Sequence, residues 1–171
     1  MGKICAFLGN DYDFMHGRKR ERRPRIWLRE KVKEEIINLI ENEDVTTFFV
    51  GEIGGFEEDA YDAVLEAKEL YPHIHITLVI SKITELHQVG EDILNYIYKG
   101  KPCDDFIYPD KSAMGYKRLS IVYRNRYIIE NTDFIIAYDK YHGKAYEFCK
   151  QAKGKGVKVI ELAEKYIKNN D

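Results

Sequence analysis

Glycines and polar residues follow several apolar stretches of this chain, in the arrangement of a site for an anionic small molecule. Gly9 and Asn10 follow the first stretch, and Gly51, Gly54 and Gly55 follow the second. Glycine allows backbone N–H groups to approach a ligand closely, and helix N-termini attract negative charge. This pattern indicates binding of a phosphorylated ligand by backbone dipoles and a few charged side chains.

The segment from Tyr138 to Lys144 follows another apolar stretch and combines different chemical groups. It contains the aromatic ring of Tyr138, His142, Gly143 and the side-chain amine of Lys144. Tyr138 could stack on a base, and Lys144 could neutralise a phosphate. A lone histidine is more often structural than catalytic, so the role of His142 stays open. We interpret this segment as a second part of the same ligand site.

The segment Gly51–Phe56 lies between a predicted strand and a predicted helix. Its glycine spacing matches neither the dinucleotide fingerprint nor the Walker loop. A turn that requires positive φ is the alternative interpretation. Glu57, Glu58 and Asp59 follow directly, and these acids would repel a bulky polyanion but suit a ribose hydroxyl or an amine.

Arg124 and Asn125 are two further candidate ligand residues, on a predicted helix. An arginine there can direct its planar fork at a carboxylate or a phosphate. For acid–base chemistry the candidates are Glu52, Glu58 and Asp59. Carboxylates permit such chemistry without demonstrating it. No spacing argues for a Ser-His-Asp or Cys-His arrangement.

A run of basic residues occupies positions 18–25, in a polar segment that we predict to be a loop over residues 10–25. Three interpretations are open. The run is a solvated loop, an anion-binding flap over the ligand site, or a contact for single-stranded nucleic acid. The last is weakened because no aromatic stacking platform is interleaved with the charges.

Length and composition predict one ordinary globular domain spanning residues 1–171. Hydrophobic residues make up 44% of the chain, charged residues 33%, and the net charge is −2. No apolar run is long enough to span a membrane, and no signal peptide is recognisable. Three distant cysteines, Cys5, Cys103 and Cys149, favour a reducing cytoplasm. We expect no metal site and no cofactor.

Strand-like and helix-like stretches alternate from end to end. The predicted strands are residues 4–9, 45–51, 74–81, 103–108, 133–138 and 157–162. The predicted helices are residues 26–42, 57–70, 85–98, 116–131 and 144–154, with a terminal helix or frayed tail beyond. Such alternation predicts an α/β fold, a three-layer, Rossmann-like domain with a doubly wound, mostly parallel sheet. In this fold the carboxyl ends of the strands share one edge, where ligands bind.

The order of these elements resembles the SLOG superfamily, in particular its YpsA-like branch, which is related to the DprA/Smf and LOG Rossmann-like domains. The resemblance covers nearly the whole chain. The residues that carry it are Phe7-Leu8-Gly9, Phe49-Val50-Gly51, Gly54-Gly55-Phe56-Glu57-Glu58-Asp59-Ala60, Tyr71-Pro72, Arg124-Asn125, Asn131-Thr132-Asp133 and His142-Gly143.

This resemblance implies a bacterial or phage domain that binds nucleotides or nucleotide-derived ligands. Some members of the superfamily sense such ligands in stress or defence systems, one relative binds single-stranded DNA, and the LOG branch hydrolyses nucleoside monophosphates at the N-glycosidic bond. The LOG pattern Pro-Gly-Gly-x-Gly-Thr-x-x-Glu is absent here, because Phe56 and two glutamates follow Gly54-Gly55. By analogy with SLOG domains we expect a homodimer.

The function that we predict is binding of a nucleotide-like small molecule at the carboxyl edge of the sheet, by a sensor or ligand-binding domain. One alternative is a hydrolase or transferase that acts on an N-glycosidic or phosphoester bond of a nucleoside phosphate. The other is an adaptor for single-stranded nucleic acid that works through the basic run at 18–25. We expect no membrane partner.

Overall fold

The computed structural model of the chain describes residues 2–9, 22–51, 54–80, 101–109, 117–139 and 143–163. The elements in these ranges are β1 (Lys3–Gly9), α1 (Arg22–Asn42), β2 (Val45–Val50), α2 (Gly54–Leu70), β3 (His75–Val79), β4 (Asp105–Ile107), α3 (Lys117–Asn131), β5 (Phe134–Tyr138), α4 (Lys144–Gly154) and β6 (Lys158–Glu161). The predicted helix over 85–98 and the terminal tail lie outside the described residues.

The strands form a single parallel sheet in the order β4-β3-β2-β1-β5-β6. From β1 the chain proceeds outward to β4, then returns past β1 to form β5 and β6. The direction of winding therefore reverses between β1 and β5. In open α/β sheets such a reversal opens a crevice at the carboxyl ends of the two strands.

Alternating side chains of the strands face two separate hydrophobic cores, because successive residues of a strand point to opposite sides. Cys5 and Phe7 of β1 pack with helices α1 and α2. Ala6 and Leu8 pack with helices α3 and α4. The sheet is thus the middle of three layers, and the predicted doubly wound, Rossmann-like fold is confirmed.

The start of α1 differs from the sequence prediction. The helix begins at Arg22, so the predicted loop over 10–25 is wrong for its last four residues. Pro24 lies inside the first turn, where backbone N–H groups have no partner within the helix and a proline costs little. Ile26 is exposed, and the buried stripe begins at Leu28 instead.

None of the helices in the described part of the chain has the length and apolar character needed to cross a lipid bilayer.

Candidate functional site

The carboxyl ends of β1 and β5 lie side by side, with Gly9 paired to Tyr138. Helices α2 and α4 both begin at this same edge of the sheet. A glycine with positive φ stands at each start: Gly54, the first residue of α2, has a φ of +80°, and Gly143, the N-cap of α4, has a φ of +106°. Other residues rarely adopt this conformation. The fold therefore brings the glycines that the sequence singled out to one edge, with Gly55 in the first turn of α2.

Two aromatic rings close the crevice on the side of α1 and α2. The rings of Phe56 and Tyr138 lie 5.8 Å apart, and both side chains are buried. A Cβ atom at Gly9 would overlap with the ring of Phe56. Tyr138 is part of the hydrophobic core in this structure, rather than an open platform for a base. The absence of a side chain at Gly9 makes room for Phe56.

We expect Gly9→Ala to lower the free energy of unfolding by about 1–3 kcal/mol, because the added methyl group must displace a buried ring. Chemical denaturation would measure the change. Gly154→Ala is the matched control, since Gly154 ends α4 and a Cβ there meets no atom within 4 Å. Equal stability of the two variants would contradict the close packing at Gly9.

A buried ion pair lies over the end of β2. Arg124 of α3 is 1% exposed, and its Nη2 and Nη1 donate to Oε2 and Oε1 of Glu57 over 2.6 Å and 3.1 Å. Its Nη1 also donates to Oδ1 of Asn125 over 2.8 Å, and its Nε to the carbonyl of Val79 over 3.2 Å. A Cβ at Gly51 would overlap with both partners of the pair.

This arrangement connects two helical layers across the edge of the sheet. Glu57 belongs to α2, whereas Arg124 and Asn125 belong to α3 on the opposite face. The absence of a side chain at Gly51 creates the space through which the guanidinium reaches the carboxylate. Four N–H groups of Arg124 therefore donate hydrogen bonds to acceptors within the protein.

The candidate acids are in different environments. Asp59 is buried, and both of its carboxylate oxygens accept hydrogen bonds of 2.9 Å from Arg25. Glu58 is half-buried. Glu52 lies outside the described residues, as do Asn10 and His142. Arg25 is the last residue of the basic run, so one charge of the run forms an ion pair with a carboxylate of α2.

The first residues at the start of α4 are exposed at this edge. Gly143 occupies the N-cap position without a side chain to bond the first N–H groups. Lys144, the first residue of the helix, is exposed. The N–H groups of the first turn, the helix dipole and an ammonium group together suit an anion.

Asp139 is a polar residue of this edge that sequence reasoning missed. It follows β5 directly and is 6% exposed. Burial, and secondly the charge of Glu161, raise its pKa from 3.8 to about 6, against the opposing effects of Lys153, its own backbone N–H and the Cys149 thiol. A carboxylate placed directly after a fully buried strand was the signal in the sequence.

A cavity of about 470 Å³ lies at the opposite edge of the sheet, near the starts of β1, β5 and β6. It is lined by charged groups that include Lys3, Asp133 and Lys158. Helices α3 and α4 end there, so their carbonyl ends carry partial negative charge, which the lysines offset. The cavity is remote from the predicted ligand residues.

The fold and the crevice between β1 and β5 define an α/β protein with a doubly wound parallel sheet. The chain matches no protein-family model, and it has no significant similarity to a curated protein.

Proposed function

We propose that this protein binds a nucleotide or a nucleotide-derived small molecule at the carboxyl edge of its sheet, as a sensor or ligand-binding domain. One observation carries the proposal. On either side of the point where the winding reverses, a glycine with positive φ stands at the start of a helix: Gly54 is the first residue of α2, and Gly143 is the N-cap of α4. This combination of crevice and helix N-termini is the usual binding place for phosphorylated ligands in such sheets.

Packing at the edge narrows the position of the ligand. The ion pair of Glu57 and Arg124 fills the space over β2, and Phe56 fills the space beside β1 on the side of α1 and α2. Among the residues that the structure describes, the exposed start of α4 beside β5 offers an approach for a ligand. We therefore assign the phosphate to the backbone of Gly143 and the ammonium group of Lys144.

The resemblance to the SLOG superfamily supports the same function. A cytoplasmic homodimer of bacterial or phage origin, belonging to that superfamily, is part of the proposal.

A panel of nucleoside mono- and diphosphates, titrated by isothermal calorimetry, tests this function. We expect at least AMP or a related nucleotide to bind, and Lys144→Ala to weaken its binding about tenfold, since a charge-assisted hydrogen bond contributes about 1.5–3 kcal/mol. Lys150→Ala is the matched control, because Lys150 is exposed on the same helix, away from its start.

Two results would refute the proposal. The first is that no nucleotide of the panel binds. The second is that a nucleotide binds but loses the same affinity in both lysine variants, which would place the phosphate elsewhere.

A further inference from the structure

In the part of the chain that the structure describes, three buried carboxylates lie near the carboxyl edge, and one of them differs from the other two. Glu57 and Asp59 each accept two hydrogen bonds from an arginine. For Asp139, in contrast, the Oδ2 atom has no hydrogen-bond partner among the residues that the structure describes. Buried polar atoms without partners are rare in folded proteins, and each one lowers stability.

None of the described groups around Asp139 bonds this oxygen, which is fully buried. The thiol of Cys149, on α4, lies near the carboxyl group, and a thiol is a weak hydrogen-bond donor. Burial raises the pKa of Cys149, so the thiol keeps its proton. Lys153, also on α4, bonds Glu161 of β6 over 2.7 Å. The charge of Lys153 attracts the carboxylate of Asp139, and the charge of Glu161 repels it.

The position of Asp139 connects it with the ligand site. It is the first residue beyond β5, next to the pair formed by Gly9 and Tyr138 at the crevice. Its neighbours Cys149 and Lys153 belong to α4, so its side chain lies on the side of that helix, whereas Phe56 packs on the opposite side of the sheet. A buried acceptor therefore lies on the same side of the sheet as α4, the helix whose N-cap is Gly143.

We propose that Oδ2 of Asp139 accepts a hydrogen bond from the ligand, and that the ligand therefore carries a donor, a sugar hydroxyl or an amino group, beside its phosphate. This inference rests on the proposed function and deepens it by naming what the site recognises. The phosphate binds at the start of α4, and the carboxylate selects the nucleoside part. A hydrogen bond of this kind leaves the carboxylate ionised.

Asp139→Asn tests the inference, because the amide has the same size as the carboxylate and replaces Oδ2 by a donor. At pH 8 we expect AMP to bind the variant about 10- to 100-fold more weakly than the wild-type protein, as for a lost hydrogen bond to a charged group. Asp133→Asn is the matched control, since Asp133 precedes β5 at the opposite edge.

Two analogues separate the possible donors. If a ribose hydroxyl donates, 2′,3′-dideoxy-AMP binds both proteins almost equally. If the exocyclic amine of the base donates, IMP, which lacks this amine, binds the wild-type protein and Asp139→Asn almost equally. An equal loss for AMP and both analogues would overturn the inference.

The wild-type protein supplies a second readout that needs no variant. Its affinity for AMP should fall as the pH is lowered from 8 to 5, because protonation removes the charge from the acceptor. The corresponding profile of Asp139→Asn should be flatter. Identical profiles with unchanged affinity would overturn the inference alone, whereas failure of the wild-type protein to bind any nucleotide would remove the proposed function as well.

Discussion

Replacing Arg124 with methionine should lower the free energy of unfolding by about 3–5 kcal/mol. The substitution leaves the carboxylate of Glu57, which is 3% exposed, without the guanidinium that bonds both of its oxygens. An ionised group in such surroundings is costly unless it is paired. Denaturation by urea, followed by circular dichroism, would measure the loss.

Two further variants separate the ion pair from the packing of the side chain. Arg126→Met is the control, because Arg126 is exposed on the same helix and lies near the ring of Tyr123 at 5.7 Å. It should change stability by less than about 1 kcal/mol. The double variant Arg124→Met/Glu57→Leu should recover most of the loss, since apolar replacement of a buried pair is often neutral. A double variant no more stable than Arg124→Met would contradict the assigned pairing.

The stability of the protein should also depend on the protonation of Asp139. Its pKa is raised from 3.8 to about 6 in the folded protein, so the folded state holds the proton more tightly than the unfolded state. This contribution is fully present below about pH 4 and is lost as the pH rises through about 6. One pKa unit corresponds to about 1.4 kcal/mol, so the loss should be about 3 kcal/mol.

Asp139→Asn isolates this effect from the other titrating groups. The amide does not ionise, so the variant should gain stability relative to the wild-type protein between pH 4 and pH 7. Urea denaturation of both proteins at several pH values would give the difference. If the stability of the variant relative to the wild-type protein does not change with pH, or falls as the pH rises, the fold does not raise the pKa of Asp139.

The main elements of the fold were predictable because their signals are local. The apolar run of β1 and the acids near the start of α2 are read from neighbouring residues. β1 is found within one residue of its predicted bounds, whereas α2 begins at Gly54, three residues before the predicted start at Glu57. The start of α1 was misplaced because Pro24 fits equally well before a helix or within its first turn. Local sequence does not distinguish these two positions.

The partners of the polar residues were not predictable in the same way. Arg124 was expected to face a ligand, and its partner in this structure is Glu57, 67 positions away along the chain. No spacing rule connects two residues on helices that lie on opposite faces of a sheet. The packing around Gly51 was not predictable either. The space that this glycine leaves for the guanidinium of Arg124 is visible only in three dimensions.

The ion pair over the end of β2 has a consequence for how the molecule opens. The sheet separates two hydrophobic cores, which could loosen independently if only the strands joined them. The bonds from Arg124 to Glu57 bind one helical layer to the other around the rim of the sheet. Amide hydrogens of α2 and α3 should therefore exchange with solvent in one cooperative opening event. In a variant without this ion pair, the two helices should open independently and exchange at different rates.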